Sequence, residues 1–468
     1  MRRRLPLAPS LLLPAALALA ACAGDDDATS GTSGADTDTD TDTDTDTDTD
    51  GAPLNGFPVG GCGLPEYPLL DAAGMGEIVD WALDLEFSRE DIDVLLEVQG
   101  YPHLAPVQSG ARLYKIRYIT QDRGEPIETT GYIALPTDLG DQVPAGAWLH
   151  GTTGFSDACG PTADPQQGFV PLLLAAYGYA TVAPDYIGMN GWGPASGRLH
   201  PYIVPEPTAI ASLDAIRALR RFTAGEGDPM SLVAPTDQTI IIGASEGGFA
   251  ALWTDRYAPH YAPELEITAV VAAVPPTNAL ALTQYATSSL NPATGALAAA
   301  LVGNHDWYRA DASLSDALAA PFDVDLKPAL LTECNPDFPG VTEPDQVYTQ
   351  DFIDALAASD LDALSVWGCM LGRAGIADLT VERKNDTPIL ITLGELDDLV
   401  YTPTNHAEIP RLCALGYDIE AVECAGADHV EGVTDALPYA RKWLADRLAG
   451  QPLTGTCALQ GPVDCAAL

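Results

Sequence analysis

The chain has 468 residues, 47% of them hydrophobic, with 66 Asp and Glu against 22 Lys and Arg and a formal charge of −44. That length holds one large core of roughly 300 residues with insertions and tails. The acidity is not confined to one end: residues 1–50 contain 11 Asp and three Arg, so the remainder still carries 55 acidic against 19 basic residues. That balance argues against nucleic acid or anionic lipid surfaces as partners.

Arg2, Arg3 and Arg4 precede the apolar run LLLPAALALA, and LAAC ends at Cys22. The layout is that of a secretory signal over residues 1–21, cleaved before a cysteine. It resembles the bacterial lipoprotein signal, which implies an acylated Cys22 and an exported protein anchored to a membrane of the cell envelope or cell surface. An ordinary signal peptide with a chance cysteine is the alternative. Several acyl chains, each buried CH₂ contributing about 0.8 kcal/mol, hold a protein on a bilayer where one chain does not. Residues 22–61 include the repeat TDTDTDTDTD and read as a disordered Asp/Thr-rich tether, too poor in large apolar side chains to join a core.

Eight further cysteines, Cys62, Cys159, Cys334, Cys369, Cys413, Cys424, Cys457 and Cys465, form an even set and read as disulfides in an exported chain. Cys457 with Cys465 is the local pairing expected in the C-terminal tail, residues 451–468. No CxxC or Cys/His spacing fits zinc.

From Arg112 the sequence shows two alternating segments, RLYKIRYITQD and IETTGYIALP, expected as an antiparallel pair. Strands and helices then alternate. AGAWLH, YATVAPDY, QTIIIGAS, ITAVVAAVPP, PILITLGELDD and DIEAVECA read as strands. Between and after them, FVPLLLAAYG, TAIASLDAIRALRRFTA, GGFAALWTDRYA, NHAEIPRLCALG and ALPYARKWLADRLAG read as helices. The pattern implies an α/β fold, a mainly parallel sheet with helices on both faces. Residues 62–276 and 388–450 form its two parts. The stretch between, 277–387, is rich in Ala and Leu and reads as a helical cap or lid insertion.

Gly243-Ala244-Ser245-Glu246-Gly247 matches G-x-S-x-G between an expected strand and an expected helix, the setting of a nucleophile elbow. A serine hydroxyl needs a base, and in this chain order an acid and then a histidine follow on later loops. His429, just beyond DIEAVECA, is the candidate base, whereas His406 lies within a helix. Glu395, Asp397 and Asp398 leave the preceding strand together, and Asp397, three residues after Gly394, is preferred. Backbone N–H groups of Thr152 and Glu246 are the expected oxyanion donors, with Thr153 as a substitute. His150 and Asp185 read as structural residues near the site.

HGTTGFSDACGP, APDYIGM, LDAIRALRRF and GASEGG together resemble the secretory lipases, a family of α/β-hydrolases. The resemblance covers about Arg112 to Gly450. It implies the α/β-hydrolase fold, assigns Thr152, Ser245, Asp397 and His429 the family's functional roles, and makes 277–387 the lid. Glu246 departs from it, since Gln or Gly is more usual after the nucleophile. The expected function is that of a serine hydrolase cleaving carboxylic esters, small-molecule or lipid, through an acyl-enzyme, as a secretory-lipase-like triacylglycerol lipase or esterase without metal or cofactor. A serine peptidase on the same fold and an inactive surface binding protein are the alternatives. The sequence sets no oligomeric state.

For the address, Cys22→Ser is expected to yield protein that carries no lipid and leaves the membrane fraction. Wild-type protein that fractionates as soluble, with no acyl mass in its N-terminal peptide, would contradict the anchor.

Overall fold

The structure, a computed structural model, describes residues 64–468 apart from 66, 141, 230 and 378–380. The expected signal segment, Cys22, the tether and Cys62 lie outside the described residues. The main described elements begin with β1 (Ile78–Phe87), α1 (Arg89–Val98), β2 (Ala111–Asp122), β3 (Glu125–Pro136) and β4 (Gln142–Leu149). Next come α2 (Phe169–Ala176), β5 (Ala180–Pro184), α3 (Pro205–Arg221), β6 (Ala234–Ala244), α4 (Glu246–Tyr261) and β7 (Glu266–Ala273). Six helices follow: α5 (Ala279–Ser288), α6 (Ala293–Tyr308), α7 (Phe322–Thr332), α8 (Gln350–Ala358), α9 (Leu361–Leu364) and α10 (Val366–Arg373). The chain returns to the sheet with β8 (Ile389–Gly394), α11 (Thr402–Ala414), β9 (Ile419–Cys424), α12 (Glu431–Thr434), α13 (Leu437–Leu448) and β10 (Leu459–Val463).

The strands lie in the order β1-β2-β3-β5-β4-β6-β7-β8-β9-β10. β1, β2, β3 and β5 pair antiparallel, and every pair from β5–β4 through β9–β10 is parallel. This is the expected mainly parallel sheet with an antiparallel start. Its central strands are buried on both faces, so they read as apolar runs rather than alternating ones. Ile240 and Ile242 of β6 face one apolar cluster with Leu172 of α2 and Trp443 of α13, while Ile241 faces the other with Leu213 of α3 and Phe249 of α4. Leu282, Leu301 and Leu356 of α5, α6 and α8 belong to this second cluster. The long interruption therefore shares a core with α3 and α4.

Two terminal strands, and the helix α1 between β1 and β2, do not appear in the sequence reading. β1 is half-buried with Asp80, Asp84 and Glu86 among its residues, which hides its alternation. β10 lies in the segment expected to be a tail, where its Gly461-Pro462 pair masks a strand that sits at the sheet edge, the position that tolerates Pro.

The expected pairing of Cys457 with Cys465 is wrong. Cys457 bonds Cys413 at the end of α11, Cys465 bonds Cys424 at the end of β9, and a third bridge joins Cys159 to Cys334. The tail runs along β9, so its two cysteines reach different elements; sequence proximity carried no information about that path. Cys369 is also disulfide-bonded.

Candidate active site

Parallel pairing brings the carboxyl ends of β4, β6, β8 and β9 to one edge of the sheet, and each candidate residue stands just beyond one of those ends. Ser245 joins β6 to α4 with φ 56° and ψ −121°, a left-handed conformation that costs a non-glycine residue on the order of 1–3 kcal/mol. Its N–H donates to Ala273 O at 2.9 Å. The turn is possible because Gly243 and Gly247, two residues to either side, lack side chains. A Cβ on Gly243 would collide with Gly247 O, and one on Gly247 would collide with Leu149 O. On the other side, a Cβ on Gly151 would stand 3.4 Å from Ser245 Cβ, so the loop after β4 lies directly against the serine.

Asp397 and His429 meet. Asp397 Oδ2 accepts from His429 Nδ1 at 2.7 Å, and Asp397 Oδ1 accepts from the N–H groups of Leu399 and Val400 at 3.0 and 2.9 Å. Both side chains are buried. Asp398 is exposed, as is Glu395, which accepts from Gly426 N at 2.7 Å. The loop of His429 is tied to β8 through Thr392 Oγ1, which donates to Gly432 O at 3.2 Å. His429 Nε2 is buried and has no hydrogen-bond partner, so it is not bonded to Ser245 Oγ here. Such contacts commonly tighten only when substrate arrives.

Thr152 follows Gly151, and Glu246 opens α4, where the first N–H groups of a helix have no intrahelical acceptor. The Thr152 hydroxyl pairs with Tyr202 Oη at 2.9 Å. The Glu246 carboxyl is buried, and its Oε1 pairs with His200 Nε2 at 2.6 Å. Sequence reasoning missed His200 and Tyr202, which lie in an irregular stretch without periodicity. The available signal was the Glu itself, an acid beginning a buried helix, which demands a partner.

The neighbouring polar residues have structural partners. His150 Nδ1 donates to Gly151 O at 2.7 Å, its ring lies 4.2 Å from that of Tyr186, and burial lowers its pKa. Asp185 accepts from Thr130 Oγ1 at 2.6 Å, Thr162 N at 3.1 Å, Gly191 N at 3.2 Å and Thr162 Oγ1. Burial pushes its carboxyl up to about 6 in spite of these bonds. His406 Nε2 meets Glu423 Oε2 at 2.7 Å on α11. Thr153 Oγ1 donates to Cys159 O at 2.8 Å, and the Cys159–Cys334 bridge fastens this loop to the chain just after α7. Among the described residues, no cluster of His, Cys, Asp or Glu is arranged to hold a metal ion, and no helix is long and apolar enough to cross a membrane.

The family model described as secretory lipase matches residues 166–456. Lipase 7 of Candida albicans is 34% identical over 94 residues, which span 20% of this chain and 18% of that protein. Three solved structures share the architecture. A putative hydrolase from Legionella pneumophila superposes with TM-score 0.68 at 20% identity, covering 81% of this chain and 100% of its own. The rice cell wall degrading esterase LipA from Xanthomonas oryzae gives 0.65 at 17% identity, covering 81% and 100%. Candida antarctica lipase A in its closed state gives 0.61 at 16% identity, covering 82% and 85%. These likenesses establish the fold, that of the α/β-hydrolases.

The turn at Ser245 generates a direct test. Gly247→Ala is expected to destabilise by more than about 4 kcal/mol or to prevent folding, because a backbone carbonyl blocks the new methyl group. Gly372→Ala, in α10 with open space around it, is expected to be stabilising by up to about 1 kcal/mol. Thermal unfolding of the two variants compares them, and equal melting temperatures would contradict the packing described.

Proposed function

Because the chain belongs to the secretory lipase family, we propose that it is a serine hydrolase of carboxylic esters, with Ser245 as nucleophile, His429 as base and Asp397 as its orienting acid. The observation that supports this most is the buried Asp397–His429 hydrogen bond, carried by the loops after β8 and β9 at the edge where Ser245 ends β6. With Nδ1–H committed to Asp397, the imidazole presents a bare Nε2 as base.

Ser245 Oγ attacks the ester carbonyl carbon and passes its proton to His429 Nε2. The carbonyl oxygen becomes an oxyanion held by the N–H groups of Thr152 and Glu246. His429 then protonates the departing alkoxide as the C–O bond breaks, leaving an acyl-Ser245. Water, deprotonated by the same nitrogen, attacks the acyl carbon, and Ser245 leaves with the returned proton as the acid is released. Asp397 stays ionised and stabilises the imidazolium at each stage.

The substrate class is a small-molecule or lipid ester. Export is supported by the disulfides and by the family, and the anchor at Cys22 rests on the sequence. The insertion, residues 277–387, acts as the cap that selects acyl chains. In support, α6 packs beside the segment that contacts Thr152 and Glu246, and Cys334 is bonded to the Thr152 loop.

Ser245→Ala is expected to lower kcat by about 10⁶, with His429→Ala nearly as damaging. Asp397→Asn should cost about 10⁴, while Asp398→Asn stays near wild type. Steady-state hydrolysis of p-nitrophenyl butyrate measures all four, and greater damage from Asp398→Asn would overturn the acid assignment. For the cap, opening the bridge in a Cys159→Ser/Cys334→Ser variant should change the ratio of long-chain to short-chain ester kcat/KM while short esters are still cleaved. An unchanged ratio in folded protein would refute the cap's role in selection.

A further inference from the structure

His200 and Tyr202 stand on one short stretch of chain before α3, and each holds a different side of the turn. His200 Nε2 meets Glu246 Oε1 at 2.6 Å, and Tyr202 Oη meets Thr152 Oγ1 at 2.9 Å. Glu246 and Thr152 are the two residues whose N–H groups receive the oxyanion in the scheme above. We propose that His200 and Tyr202 are positioning residues that clamp both oxyanion donors in register. The inference rests on that assignment of the donors.

The clamp is itself fixed on every side. His200 Nδ1 donates to Ile187 O at 2.9 Å, its N–H donates to Phe155 O at 2.9 Å, and its ring stacks on Tyr186 with centroids 5.7 Å apart. Tyr202 N donates to His200 O at 2.8 Å, and Phe155 packs edge-on against the Tyr202 ring at 5.1 Å. Ile203 then takes φ 56°, a strained value for a β-branched residue that persists only where the surroundings impose it. The insertion supplies part of that restraint. Asn304 Nδ2 of α6 donates to Tyr202 O at 3.1 Å, and a Cβ on Gly303 would stand 3.0 Å from Tyr202 N.

The charge arrangement gives the pairing a second consequence. The His200 and Glu246 side chains are 0% and 1% exposed. A carboxylate so buried, one residue from the nucleophile, would oppose an oxyanion unless neutralised. With Nδ1–H donated to Ile187 O, the bond between Nε2 and Glu246 needs one proton shared by the pair, which then has no net charge. Glu246 Oε2 has no hydrogen-bond partner, so His200 is the group that balances this acid. Hydrolysis by Ser245, His429 and Asp397 uses neither His200 nor Tyr202 as a proton carrier, and their side chains touch the donors' residues rather than the reacting atoms.

The test compares Tyr202→Phe, His200→Gln and His200→Gln/Glu246→Gln with wild type on p-nitrophenyl butyrate, with the affinity for an alkyl boronic acid that forms a tetrahedral adduct on serine. Removing a whole oxyanion donor costs about 10²–10³ in kcat, and misplacing one costs less. Tyr202→Phe, which deletes one hydroxyl, is expected to lower kcat about 10–100-fold with KM within about twofold, and to weaken boronate binding in the same proportion. His200→Gln should fall further, and the double variant should recover at least about tenfold because the uncompensated acid is gone. Wild-type kcat in both Tyr202→Phe and His200→Gln would overturn the clamp. So would a kcat loss in Tyr202→Phe without parallel loss of boronate affinity. If His200→Gln does not fold, Tyr202→Phe alone decides. Ser245→Ala run beside them separates the two levels: retained activity there refutes the nucleophile, whereas its loss together with unaffected clamp variants refutes the clamp alone.

Discussion

The close approach of Gly247 to the Leu149 carbonyl governs the geometry of this protein. It lets the first turn of α4 pack against the end of β4, so the loop bearing Gly151 and Thr152 comes to rest beside Ser245. A side chain at Gly247 would drive the first turn of α4 off the end of β4, and one at Gly243 would meet the Gly247 carbonyl within the turn itself. The strain at Ser245, φ 56°, is sustained by this packing and by the bond from its N–H to Ala273 O on the neighbouring strand. The parallel register does the rest, carrying Asp397 and His429 to the same edge beyond β8 and β9, the second and third strands along from β6.

Around that turn the protein is reinforced from two directions. Beneath it, the buried sequence of rings from His150 through Tyr186 to His200 connects the β4 loop, the β5 loop and the stretch before α3. Above, the insertion grips the same stretch through Asn304 and is fastened to the β4 loop by Cys159–Cys334. Since α5, α6 and α8 also share the core of α3 and α4, the insertion is an integral part of the folded unit. Any movement that admits substrate therefore has to work around a covalent tie and a common core, which makes local rearrangement of single helices easier than displacement of the whole insertion.

Much of this was legible in the sequence because its signals are local. The β-branched run before Gly243 specifies a buried strand, and the small residues around Ser245 specify a tight turn into a helix. The order of Ser245, Asp397 and His429 then follows from alternating strands and helices. What escaped depends on the path of the chain in space. The pairing of Cys457 with Cys413, and of Cys465 with Cys424, follows from β10 running along β9, which no spacing encodes. His200 and Tyr202 were invisible for a similar reason: 46 residues separate His200 from Glu246, and 50 separate Tyr202 from Thr152. Glu246 alone hinted at the missing partner, as an acid where burial would otherwise penalise it.

The proposed chemistry turns on Ser245 being the nucleophile of an ester hydrolase. Peptide mapping by mass spectrometry after treatment of the native protein with a fluorophosphonate tests it most directly. One stoichiometric adduct is expected, on Ser245, formed in step with loss of esterase activity. Loss of that activity with the adduct on another residue, or folded and active protein that takes up no label, would contradict it.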